Sequence, residues 1–152
     1  MRRLIFVGLL ASVALSGAPV AQASDDSVRA VVRAQAERQV KEDARFERAL
    51  RNLDSRRGLN RARRAIGRQA ASVKAFKAAL TPERADTPRV AEGRRELLNA
   101  LNTYTTGLRR LQAGIKEALR PGGKSGEAKA KSAVRYMRNA ARRAGRAARK
   151  IG

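Results

Sequence analysis

Cysteine, histidine and tryptophan are absent from all 152 residues. Without thiols there can be no disulfide, no thiolate zinc site and no lipid-attachment cysteine. Without imidazole there is no Ser-His-Asp or Cys-His catalytic pairing. The E-x-x-H signature of carboxylate di-iron bundles is also closed off. Proline is scarce, at 19, 82, 88 and 121 only, which leaves long stretches free to be helical. Aromatics make up 3% of the chain. Phe46, Phe76 and Tyr104 fall on expected core faces, so Tyr136 alone is expected outside. Binding of single strands by base stacking needs several exposed aromatics and is disfavoured. No phosphate-cradling G-x-x-x-x-G-K-[ST] occurs, since Gly122-Gly123-Lys124-Ser125 lacks the upstream glycine. It reads as an interhelical turn. The expectation is a protein without catalytic residues, metal or cofactor.

Acidic residues are also few. Thirteen Asp and Glu stand against 35 Lys and Arg, a formal charge of +22, and Arg outnumbers Lys 27 to 8. The excess is uneven. Residues 24–54 carry seven basic and seven acidic groups, and residues 55–80 eight basic and none acidic. Residues 81–120 carry eight against five, and residues 121–152 ten against one.

The N-terminus reads as an export signal. Basic Met1-Arg2-Arg3 precedes the apolar run LIFVGLLASVAL, and Ala21-Gln22-Ala23 has the A-x-A form of a cleavage site. The run is too short to span a bilayer, and no second one follows. Cleavage is expected between Ala23 and Ser24, releasing a bacterial protein to the periplasm or the exterior.

Helix periodicity dominates the rest. Val90, Arg94, Leu97, Leu101, Tyr104, Leu108, Leu111, Ile115 and Ala118 recur at alternating spacings of four and three. Leu59 to Leu80 and Ala130 to Ile151 follow the same rule. Such heptads specify an all-α, antiparallel up-down four-helix bundle after the cleaved signal peptide. The helices are expected at about 25–54, 59–80, 88–120 and 125–151 in one domain, 24–152. A second stripe is small throughout, including Gly93, Gly107 and Gly114 in the third helix and Ala133, Ala140 and Ala147 in the fourth. It implies close backbone approach without saying which neighbour sits close. The Ala-rich fourth helix is expected to be the loosely held one. The first helix should lend its acids to arginines of its neighbours.

Two groups of residues draw attention. Between Val32 and Phe46 the inner face of the first helix turns polar at Gln35, Gln39 and Asp43. Bundle geometry sets Asp43 near Gln69, Tyr104 and, in the fourth helix, Ala144-Gly145. A hydrogen-bonded layer that fixes register is the expectation, a small-ligand pocket the alternative. The second group is Arg61, Arg64, Arg68, Arg135, Arg138, Arg142, Arg146 and Arg149, placed to contact an anionic polymer. Candidate partners are envelope polymers, phospholipid or lipopolysaccharide phosphates, or extracellular DNA bound without sequence preference. The alternative is a structural or protein-interaction bundle whose charge is incidental, reflecting a GC-rich genome. The oligomeric state is open.

Overall fold

A computed structural model of the chain describes residues 22–51, 53 and 55–152. The charged and apolar parts of the expected signal lie outside the described residues. Four helices and no strand occur among those described: α1 Gln22–Leu50, α2 Arg56–Leu80, α3 Pro88–Ala118 and α4 Lys124–Ile151. Together they make a helical bundle.

Local chemistry fixes the boundaries. Helix α2 opens three residues before the expected Leu59, because Ser55 is its cap and accepts the N–H of Gly58 at 3.0 Å. Helix α1 correspondingly stops at Leu50, four residues short of the expected Asp54. Thr87 caps α3 and Pro88 takes the first helical position, where a missing N–H costs nothing. Thr81 closes α2, its hydroxyl donating to the Lys77 carbonyl at 2.7 Å. The turn between α3 and α4 needs a glycine at 122, where φ is +75°.

The core is built from the apolar residues of the helices. Ile66, Val73, Phe76 and Leu80 of α2 meet Leu97, Leu101, Leu108, Leu111 and Ile115 of α3, all buried. Arg94 departs from the stripe. Its guanidinium reaches out to the carbonyls of Leu80 and Thr81, capping α2 with a cation where the helix dipole favours one.

Helix α4 reverses the expectation of loose packing, since its contact with α3 is the most extensive in the bundle. The reason is the glycine stripe. Gly93 lies against Ala147 and Ile151, Gly107 against Met137, and Gly114 against Ala130 and Gly126. A Cβ added to Gly114 would stand 2.8 Å from the Ala130 backbone nitrogen. Small side chains contribute little area each but let the backbones close up, and dispersion grows with the number of near atoms. The lightly held element is α1, which packs chiefly on α2 and touches α3 and α4 little.

Polar bonds secure α1 at one end. Asp25 is buried, and its carboxylate accepts from the N–H groups of Asp86 and Thr87 and from the Thr87 hydroxyl at 2.7 Å. The Ser27 hydroxyl donates to Glu83, and the Arg29 guanidinium donates to the Ile151 carbonyl at 3.0 Å. The start of α1, the α2–α3 connection and the end of α4 are thereby joined.

Candidate functional site

The exposed arginines of α2 and α4 follow from two facts of sequence. Helix α2 contains no Asp or Glu, and neither does the chain after Glu127. Arg61, Arg64, Arg68, Arg135, Arg138, Arg142, Arg146 and Arg149 are all exposed. Among the described residues none of the eight is ion-paired. The ion pairs go elsewhere. Lys150 bridges Glu92 and Glu96 at 2.8 Å each, Lys129 meets Glu117 at 2.7 Å, and Lys131 meets Glu127 within α4. The hydrogen bonds that Lys150 donates to Glu92 and Glu96 hold its ammonium above the ordinary range.

Among the described residues the acids of α1 form no ion pair with arginines of the neighbouring helices, contrary to expectation. Asp26 pairs with Arg29 and Glu42 with Arg45, each one turn away on the same helix. Adjacent-turn partners are always within reach; Arg138 of α4 lines the same cavity as Asp43 and Glu47, yet among the described residues no acid of α1 forms an ion pair with α4. The basic surface is thus not neutralised across the α1–α4 boundary. Among the described residues helices α2 and α4 share no contact, and the basic residues Arg109 and Arg110 of α3 stand between them in the chain order. Arg110 was not singled out from the sequence. Its guanidinium lies 4.6 Å from the ring centre of Tyr136 on α4.

The polar residues of the interior meet in one layer. Asp43 accepts from Gln39 Nε2 at 2.8 Å and from Gln69 Nε2 at 2.6 Å, and Gln69 Nε2 also lies 3.3 Å from the Tyr104 hydroxyl. Asp43, Gln69 and Tyr104 are 6%, 1% and 8% exposed. Ser72 joins by donating to Gln39 Oε1 at 2.8 Å. From sequence it was only a small residue on the second stripe. Gln35 is half-buried and, among the described residues, takes no part in these bonds. Burial pushes Asp43 above the ordinary carboxylate range, aided by Glu47 and Glu42 and opposed by its two amide donors. Burial likewise raises the Tyr104 phenol. The Gln69 Oε1 and Glu47 Oε1 atoms are buried and have no hydrogen-bond partner among the described residues.

At α4 this layer meets Met137 and Arg138, not Ala144-Gly145, because α4 packs on α3 in a different register from the expected one, with Gly107 against Met137 and Gly114 against Ala130. The cavity lined by Asp43, Phe46, Glu47, Leu50, Tyr104, Val134, Met137 and Arg138 measures about 30 Å³. That volume suits one or two waters. Among the described residues no cluster of three or more acids is placed to hold a metal ion, and no helix is long and apolar enough to cross a membrane. Ala23 and Ser24, the expected cleavage pair, lie in the first turn of α1, just before the buried Asp25.

No protein-family model matches the chain, and neither the curated proteins nor the solved structures compared with it give a match.

Proposed function

We propose that the chain is an exported, non-enzymatic bundle that binds anionic polymers or an anionic envelope surface through the arginines of α2 and α4, with α3 between them. The four helices form an antiparallel up-down bundle with heptad packing. The order of contacts supports this, since Gly93, Gly107 and Gly114 meet residues ever earlier in α4. Export follows from the signal at residues 1–23, with release between Ala23 and Ser24. N-terminal sequencing of the protein recovered from outside the cytoplasm should begin at Ser24.

One observation carries the binding reading. Arg61, Arg64, Arg68, Arg135, Arg138, Arg142, Arg146 and Arg149 are exposed and, among the described residues, have no carboxylate partner. A cation already paired gains little from a new anion, whereas an unpaired guanidinium can form charge-assisted, bidentate bonds. Local charge density then supplies affinity and makes it sensitive to salt.

The test is binding to labelled duplex DNA, standing for any dense polyanion, across a salt series. With about six to eight phosphate contacts, log K against log salt should fall with a slope of roughly −5 to −7. Replacing the α4 arginines by alanine should flatten that slope. Negligible binding at low salt would sink the reading and leave the charge incidental, with protein partners the next place to look.

A further inference from the structure

Four positions on each of α3 and α4 face one another across the outside of their seam at intervals of seven residues. Three of these rungs are direct contacts: Glu96 with Lys150, Arg110 with Tyr136, and Glu117 with Lys129. The same step sets Thr103 opposite Arg143, between the first two. The ladder is zoned. Its outer rungs are lysine–glutamate pairs, while both central rungs carry an arginine, one from each helix. From Leu97 to Lys116 on α3, and after Glu127 on α4, the sequence contains no acid. Arg143 is exposed and, like Arg110, has no ion pair among the described residues. One heptad separates the two rungs, about 10 Å along the helix axis.

We propose that the central rungs, Arg110 on Tyr136 and Arg143 beside Thr103, form the selective part of the anion-binding surface and seat phosphate groups of a soluble linear polymer. The inference rests on the polyanion reading above and adds residues and a ligand class to it. The Tyr136 ring, 4.6 Å away at its centre, holds the Arg110 guanidinium over its face, and Arg110 has no ion pair among the described residues to compete with an anion. A stacked arginine therefore surrenders less freedom on binding than a mobile lysine. Arg110 covers one face of the half-buried Tyr136 ring, so a base stacking on that face would have to displace it. Recognition falls on the phosphates and ignores what they connect. The outer lysines, held by their glutamates, mark the ends of the seat.

Full-length protein and the variants Arg110→Lys, Arg143→Lys and Tyr136→Leu would be titrated with inorganic polyphosphate at several salt concentrations. Arg33→Lys, on exposed α1, serves as control, and circular dichroism checks that each variant is folded. Each arginine replacement should weaken polyphosphate binding about tenfold, the loss expected when charge remains but the fork geometry goes. Tyr136→Leu should weaken it about two- to fivefold. The salt slope should not change in any of them, because the number of cations is kept. Affinities equal to wild type with a steep slope would overturn the seat and leave the polyanion reading standing. No binding by the wild type would end both. Polyglutamate of matched length binding as tightly, or phosphatidylglycerol vesicles binding more tightly, would also overturn it, the first against phosphate and the second against a soluble polymer.

Discussion

Asp25 and Asp43 are both buried aspartates on α1, yet their surroundings move them in opposite directions. Around Asp25 burial pushes upward, but the Thr87 hydroxyl, two backbone N–H groups and Arg29 outweigh it, and its carboxyl lies below the ordinary range. The folded state thus favours the charged form. This contribution is full above the ordinary carboxylate range and disappears as pH falls through the depressed value. Asp43 is raised, so in the window between its ordinary and its raised value only the folded protein keeps the proton. Stability falls as pH rises through that window, because above it the folded chain carries a poorly solvated charge. Thermal unfolding between about pH 3 and pH 7 checks both signs. Asp43→Asn should remove the falling part of the curve and be at least as stable as wild type at neutral pH. Asp25→Ala should cost about 1.5–3 kcal/mol there, the worth of hydrogen bonds to a charged acceptor. The position of Asp43 was legible, because a polar break in an apolar stripe has to be satisfied by whatever lies at the same height. Asp25 was not. It sat among the polar residues expected at any helix start, and its partners lie 61 and 62 positions away.

At the scale of the element, some helix glycines face backbone and others face open space. Gly114 and Gly126 face backbone of the opposite helix, which cannot rotate aside. Gly67 of α2 and Gly145 of α4 have nothing within 4 Å of an added Cβ. Gly114→Ala should therefore destabilise by about 1–3 kcal/mol through overpacking. Gly67→Ala and Gly145→Ala should each stabilise by about 0.5–1 kcal/mol by removing backbone freedom from the unfolded chain. Chemical denaturation of the three variants reads the signs directly. The sequence displayed the small stripe but not its partner, since spacing alone serves either neighbour equally. It also made α4 look weak, because counting apolar carbon misses the gain from bringing two backbones together. Helix ends were legible where a cap and a proline coincided, as at Thr87-Pro88, and less so at Ser55, where a modest cap acts with no proline beside it.

For the whole molecule, the arrangement of charge matters more than its sum. The acids of α3 and α4 stand near the two ends of the pair, where lysines answer them, and the middle is left to guanidinium groups. Like charges at close range oppose the compact state, and salt screens them over about 10 Å at 0.1 M. The melting temperature should accordingly rise when salt is added to a dilute buffer. It should rise further with phosphate or polyphosphate than with chloride at equal ionic strength, because a bound anion stabilises the folded form. An identical response to all three would mean screening alone. The exposure of the arginines could be read from the heptad, but the Arg110–Tyr136 contact could not. It depends on the offset between α3 and α4, which the close contacts of Gly93, Gly107 and Gly114 with α4 define.

The bonds that secure α1 also say something about how the chain reaches its folded state. Neighbouring helices join over short loops, so α1 with α2, and α3 with α4, can assemble early from nearby segments. The bond from Arg29 to Ile151 links positions 122 apart, and Asp25 reaches Thr87 across 62. Such closures carry the largest entropic cost and are expected after the main folding barrier. Loss of Asp25 should then leave the refolding rate almost unchanged and accelerate unfolding, a pattern visible in the two arms of a denaturant chevron.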